Sequence, residues 1–271
     1  MIDIVTVVFQ DELPILRLQA QSIELYCQDI GIKNIYIIVN DSDDVANQID
    51  ASAWGTFSSQ VKIIPRSTFG CSFVDNGWVS QQALKLVASQ LCENPWYMVL
   101  DAKTIFVRPL LLKDLFKDNQ IQVGQLPIYP VFERSRQITN ELFGIDLKNQ
   151  AGPGGVPFFF NTNDTQAMIA YVENKVKQNF AEWFQAQGML TEFILYSGWI
   201  EYRHGMDVYY SKKSFFTVCN VCHSEVGIIE QKLNVMKHPS NLTVSIHRNA
   251  WLQMTHAQQT QYQNFLEQKL K

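Results

Sequence analysis

The sequence lacks any stretch that could cross a membrane, because no apolar run in its 271 residues approaches the roughly 18–20 that a spanning helix needs. It lacks the glycine-rich dinucleotide fingerprint after its first apolar run, where Gln10-Asp11-Glu12 stands instead. Nicotinamide and flavin Rossmann chemistry therefore lose their phosphate anchor, and NAD is not expected. A nucleotidyltransferase would show a glycine-rich basic loop at that same place, and none is there. The chain has no basic excess, with 22 Lys and Arg against 26 Asp and Glu and a net charge of −4. That balance argues against a general nucleic-acid binder. Cysteines are few and odd in number, 5 at irregular spacing, which suggests free thiols rather than a disulfide framework. The opening residues, Met1 to Phe9, carry Asp3 and no basic cluster, unlike a signal peptide. The expectation is a soluble cytoplasmic protein, in which the sequon Asn241-Leu242-Thr243 goes unused. Cys219-Asn220-Val221-Cys222-His223 matches the c-type haem pattern, but that attachment requires export, so no haem is expected. A structural zinc on the same residues has no fourth ligand at characteristic spacing. Internal repeats, low-complexity segments and clean linkers are also absent.

What is present is a core and an alternation. Apolar residues make up 46% of the chain, and aromatics include 17 Phe, 10 Tyr and 6 Trp. Ile4 to Phe9 reads as a first buried strand, followed by Pro14 at a helix start and an apolar stripe from Leu16 to Tyr26 that Gly31 ends. Ile35 to Val39 is a second strand, which makes a right-handed βαβ unit with the first. Val61 to Ile64 is a third. Gly70 to Trp78 is a turn-rich loop, and Val79, Ala83, Leu84, Val87 and Leu91 follow at helical spacing. Tyr97 to Leu100 is a continuous apolar run, as in a parallel strand covered on both faces. Leu110 to Lys117 suggests a short helix and Ile121 to Gly124 a strand. Pro127 to Gly155 reads as a mobile or substrate-facing loop region. Val156 to Phe160 resumes a strand, and a long helix follows from Met168 to Trp183, with Asn163 and Gln166 suited to reciprocal capping at its start. Thr191 and Glu192 open another helix. Phe215 to Val218 and Leu242 to Ile246 are late strands, and Leu252 to Leu270 is a Gln-rich amphipathic helix. The fold class is α/β with a central, mostly parallel sheet.

The chemistry gathers after the 97–100 strand. Asp101 and Lys103 stand two residues apart there, and Arg108-Pro109 stops the apolar run that follows. In open α/β sheets ligands sit just beyond the carboxyl ends of strands, so these charges suit a phosphate or metal site. The helix before that strand carries Gln82 and Lys85, which become ligand candidates by its position. Beyond Glu192 lie Glu201, Arg203, His204 and Asp207, a polar cluster with no evident order.

Leu100-Asp101-Ala102-Lys103-Thr104-Ile105-Phe106-Val107-Arg108-Pro109 resembles the acid-x-acid neighbourhood of GT-A glycosyltransferases. More closely, it resembles a bacterial, glycosyltransferase-like family of unknown function, the DUF6492 type. Gly77 to Leu86, Pro157 to Asn161, Thr191 to Tyr196 and Ser245 to His247 look like further landmarks of that family. The resemblance implies a single GT-A-like, three-layer nucleotide-binding domain over 1–271. Residues 1–125 would be its nucleotide-sugar-binding half, 126–250 its acceptor side and 251–271 a C-terminal helix. It also implies transfer of a sugar from a nucleoside-diphosphate sugar to a glycan or lipid-linked acceptor. Bacterial capsule or other surface polysaccharide assembly, at the inner face of the membrane, would be the setting. Phe9, Asn40 and Asp41 would lie near base and ribose, and Gln82, Lys85, Asp101, Lys103 and Arg108 on the donor. Asp101 with His247 would hold a divalent cation, Mn or Mg. In metal-dependent GT-A enzymes two carboxylates handle that cation, whereas the second position here is Lys103. A charged lysine cannot ligate a metal but can pair with phosphate, so Lys103, Lys85 and Arg108 are the alternative source of positive charge. An inverting transfer needs a carboxylate base, for which Glu192 comes first and Asp75 second; a retaining transfer needs none. The Phe-rich 156–160 strand is a candidate for the acceptor side, and the last helix for membrane-surface or partner contact. The competing reading, fed by the altered acid motif, is a catalytically weak sugar-nucleotide-binding or scaffold protein of a polysaccharide assembly complex.

Overall fold

The computed structural model describes residues 1–118, 120–122, 126–147, 150–151, 156–212, 214 and 217–271. Its strands are β1 (Ile2–Val8), β2 (Ile32–Val39), β3 (Val61–Pro65), β4 (Trp96–Asp101), β5 (Ile105–Phe106), β6 (Phe116–Lys117), β7 (Gln120–Ile121), β8 (Leu126–Pro127), β9 (Gln150–Ala151), β10 (Phe158–Asn161), β11 (Thr217–Val221) and β12 (Asn241–Ile246). The α-helices are α1 (Leu13–Tyr26), α2 (Gly77–Val87), α3 (Leu112–Leu115), α4 (Glu133–Phe143), α5 (Thr162–Val176), α6 (Phe180–Ala186), α7 (Glu192–Arg203), α8 (Ile229–Met236), α9 (Arg248–Trp251) and α10 (His256–Lys269).

The central sheet has the order β10-β4-β1-β2-β3. Its three inner pairings, β4–β1, β1–β2 and β2–β3, run parallel, and β10 joins β4 antiparallel at the edge. Every residue of β1 is buried, on both alternating faces, so the sheet is covered above and below. β-branched Ile and Val fill β1 and β2 because their stiff side chains pack well on a pleated surface. The buried exception at the start is Asp3. Its carboxylate accepts from Asn34 Nδ2, Asn94 Nδ2 and the Glu93 and Asn94 amides, which ties β1 to the turn before β4. Sequence neighbours of β1 lie on opposite sides of it, β2 one way and β4 the other. The strand order therefore reverses between β1 and β4, where Val7 pairs with Asp101. Ligand crevices in open α/β sheets form at such a point.

A smaller sheet, β11-β12-β5, builds a second apolar cluster with Leu233, Met236, Tyr262 and Phe265. Ile15 of α1 packs against both this cluster and the main core. Among the described residues no helix is long and apolar enough to cross a membrane.

Several elements depart from the sequence reading. The region 127–155 holds a helix, α4, which buries Ser135, Ile138, Thr139, Leu142 and Phe143 at helical spacing. Two of those five are small polar residues, which hides the apolar stripe. The single helix expected from Met168 to Trp183 is two, because Lys177 takes the left-handed conformation (φ 56°) and Asn179 caps a new start. Asn161, not Asn163, caps α5 by accepting from the Asp164 amide, and Gln166 donates instead to the Ser89 carbonyl. Only Leu112–Leu115 is α-helical in the 110–117 stretch, and the last helix, α10, starts at His256 rather than Leu252, with the short α9 ahead of it. The strand expected at 121–124 lies partly outside the described residues, as does the start of that expected at 215–218. Phe158, Phe159 and Phe160 are fully buried, so they cannot face an acceptor. Phe158 and Phe160 stack against Phe193 of α7, and burial of each such ring contributes on the order of 1.5–3 kcal/mol.

Candidate active site

β4 delivers Asp101 to the crevice, and the chain then turns sharply, with the Thr104 amide donating to the Asp101 carbonyl at 2.9 Å. The turn is held from behind by Gln19, buried on the inner side of α1. Its Nε2 donates to the Asp101 carbonyl at 2.6 Å and its Oε1 accepts from the Thr6 hydroxyl at 2.9 Å. Backbone position is therefore fixed before any ligand arrives, and the Asp101 carboxylate is left to side chains.

Those side chains are lysines. Lys85 Nζ lies 2.8 Å from Asp101 Oδ1 and 3.0 Å from Glu192 Oε1, and Lys103 Nζ lies 3.0 Å from Asp101 Oδ2. Lys85 is on the inner face of α2 and almost inaccessible, at 4% side-chain exposure, and Glu192 at 3% is equally enclosed. Phe193 covers the Lys85 ammonium at 5.3 Å, and Tyr97 donates to its carbonyl. Asp101 and Lys103, each 19% exposed, form the accessible end of the cluster.

Burial alone would push the Lys85 ammonium toward neutrality, but the Asp101 and Glu192 carboxylates outweigh it and hold the proton on firmly. Burial also acts against ionised Asp101, yet Lys103 and Lys85 overcome it and keep this carboxyl well below the usual carboxylate range. Glu192 goes the other way. Burial raises it, and the single ion pair with Lys85 only partly offsets that. Two carboxyls on one ammonium thus diverge, one firmly ionised and one closer to accepting a proton, the pattern that separates acid and base roles.

Lys85, Asp101 and Glu192 share the wall of a cavity of about 150 Å3, together with Trp78, Gln82 and Tyr129. Trp78 and Tyr129 are exposed aromatics at its edge. Gln82 is buried and donates to the Trp78 carbonyl. The far wall comes from the 127–132 segment and from Thr191 to Ile194. α4 sets that wall: Ser135 Oγ accepts from the Thr191 amide at 3.0 Å, beside Glu192 at the first turn of α7.

The other expected donor residues lie at neighbouring strand ends. Phe9 follows β1, and a Cβ on Gly77 would come within 2.8 Å of its ring, so that glycine lets α2 approach. Buried Asn40 donates to Ser80 and accepts from Arg66. Asp41 accepts from the Gln10 amide. Glu12, which the sequence reading passed over, is raised by burial, with partial relief from Lys103. Its carboxylate therefore stands within electrostatic reach of the cluster. His247, after β12, is lowered by burial and then by Lys103, so it too sits near this end. Asp75 and Arg108 do not line the cavity. Asp75 is exposed on the loop before α2, and Arg108 is half-buried beyond β5.

A divalent cation on Asp101 and His247 fits this arrangement poorly. Both Asp101 oxygens already face ammonium groups at 2.8 and 3.0 Å. Among the described residues no group of three or more His, Cys, Asp or Glu could hold a metal ion. Nor do Cys219, Cys222 and His223 converge: Cys219 faces the Lys232 carbonyl, and His223 bonds to Gln253.

By fold the chain is similar to the galactosyltransferase LgtC solved with donor and acceptor sugar analogues. Identity is 14% and the TM-score 0.53, over 97% of this chain and 96% of that one. An active-site mutant of LgtC gives 13% identity and a TM-score of 0.50, over 98% and 95%. Mouse xyloside xylosyltransferase 1, in its apo form, gives 14% and 0.46, over 92% and 99%. The chain has the GT-A type of fold, a mixed α/β arrangement on a mostly parallel sheet. No curated protein matches it by sequence. Residues 4–235 match a family of unknown function, and the chain belongs to that family, DUF6492.

Proposed function

We propose that this protein is a glycosyltransferase that moves a sugar from a nucleoside-diphosphate sugar to a glycan or lipid-linked acceptor. The observation that carries the reading is the Lys85 ammonium bridging Asp101 and Glu192 at the wall of a cavity, at the strand-order reversal of a GT-A sheet. Its setting would be surface polysaccharide assembly, and residues 1–125 would bind the donor.

The nucleotide would lie along the carboxyl ends of β1 and β2, with Phe9 against the base and Asn40 and Asp41 near the ribose. The diphosphate would reach the accessible end of the Asp101–Lys103 pair, where Lys103, half-buried, offers the only ammonium among these residues that is not locked between two carboxylates. The sugar would enter the cavity. Its enclosed wall removes water from the reacting carbon, which strengthens every charge interaction there. Glu192 would take the acceptor hydroxyl's proton as that oxygen attacks the anomeric carbon. Lys85 keeps Glu192 ionised enough to act and Asp101 fixed. Trp78 and Tyr129 at the edge offer flat apolar faces for an acceptor sugar.

A thermal-shift screen against a panel of sugar nucleotides tests the reading, because a ligand that binds only the folded state raises apparent stability by mass action. At least one sugar nucleotide is expected to raise the melting temperature, and Asp101→Ala is expected to abolish the shift. No shift with any of them would remove the donor site from this account.

A further inference from the structure

We propose that the donor's diphosphate is bound without a divalent cation, with the Lys103 ammonium as its counter-charge. This rests on the glycosyltransferase reading and adds to it the means by which phosphate charge is balanced.

Three observations carry it. First, the position two residues after Asp101, at the accessible end of the cluster, is a cation. Lys103 Nζ pairs with Asp101 Oδ2 at 3.0 Å and keeps 19% of its side chain exposed at the crevice. Second, each Asp101 oxygen already accepts from an ammonium, so a metal on either would sit beside a like charge. Magnesium or manganese would need to sit about 2.0–2.2 Å from a carboxylate oxygen, against the ammonium already there. Lys85 cannot move aside, since it is buried, clamped by Glu192 as well, and covered by Phe193. Third, no second ligand set converges on the site among the described residues. His247 keeps one ring nitrogen as acceptor of the Asn249 amide at the start of α9.

The charges then sort themselves. Lys85 is spent internally on two carboxylates. Lys103 has one partner, shared with Lys85, so Asp101 positions it more than it neutralises it. A diphosphate arriving at this end meets a fixed ammonium whose direction is set by Asp101. A point charge of this kind pairs with phosphate oxygens and needs no coordination geometry.

Isothermal titration with uridine, guanosine, adenosine and cytidine diphosphates, each with Mn2+ and with EDTA, tests this on the full chain. For the tightest of the four, the dissociation constant is expected to agree within about twofold between the two conditions. Lys103→Ala is expected to weaken it about tenfold in EDTA, the loss of roughly one charged contact. Lys103→Arg, which keeps the charge, is expected to retain metal-free binding and shows that the alanine variant's loss is not a folding failure. Binding that appears only with Mn2+, or that Lys103→Ala leaves unchanged, would overturn the inference and leave the glycosyltransferase reading standing. Absence of binding by all four in both conditions would overturn both.

Discussion

Lys85 Nζ stands 3.0 Å from Glu192 Oε1 and 2.8 Å from Asp101 Oδ1, so one buried ammonium joins the helix before β4, the end of β4 and the first turn of α7. Glu192 lies 107 residues from Lys85 in sequence, and the site exists only when all three elements are docked. Removing the ammonium would leave buried Glu192 without its counter-ion and Asp101 with Lys103 alone. Lys85→Met is therefore expected to destabilise the protein by about 3–5 kcal/mol, the cost of breaking a buried pair. A urea unfolding midpoint unchanged from wild type would show that the pairing contributes no stability.

Glu192 supplies the pH dependence. Burial raises its carboxyl above the ordinary range, and Lys85 offsets this only in part. A base acts when ionised, so activity is expected to fall as pH drops through that raised value. The acid limb of the rate profile then lies at higher pH than an ordinary glutamate would give. Glu192→Gln keeps the shape, removes the base, and is expected to lower turnover by roughly 10²–10⁴-fold with the limb abolished. A limb that survives the substitution belongs to another group.

The contact of α4 with α7 is set by Gly198. A Cβ there would lie 2.1 Å from Thr139 Cγ2. Gly198→Ala is expected to cost about 1–3 kcal/mol through overpacking. Adding Thr139→Ser removes the offending methyl and is expected to recover most of the loss. Failure of the double variant to recover stability would place the strain elsewhere.

Gly77 plays a similar part nearer the crevice. Its missing Cβ admits the Phe9 ring, which would otherwise be 2.8 Å away. Gly77→Ala is expected to displace Phe9 and weaken nucleoside-diphosphate binding, while the melting temperature moves little because a ring at the crevice edge can yield. Unchanged affinity in titration would separate Phe9 from the donor site.

Much of this was legible in the residues. The β-branched runs mark β1 and β2, a continuous apolar run marks β4, and the charges at Asp101 and Lys103 stand out because they follow that run. Lys85 and Gln82 stand out only by their place on the helix before β4, and the structure brings both to the cavity wall. Gln19 was not legible. A lone glutamine inside an apolar helical stripe looks like an imperfection until its partners at Thr6 and Asp101 are known. The helix α4 was hidden by prolines before it and by Ser135 and Thr139 on its inner face. One of those, Ser135, is what holds Thr191. Tyr129 and Phe132 line the cavity from a segment expected to face substrate, yet nothing in their spacing singles them out from other aromatics. Asp75 shows the converse. It stands close to the site in sequence, but the turn before α2 leaves it exposed and off the cavity.

The central claim is that the Lys85, Asp101 and Glu192 cluster turns over a sugar nucleotide. Release of nucleoside diphosphate from a panel of sugar nucleotides, by wild type and by Asp101→Ala and Glu192→Gln, tests it most directly. The account predicts slow release from at least one donor by wild type, lost in Asp101→Ala and strongly reduced in Glu192→Gln. Release from none of them, or equal release by all three proteins, would contradict it.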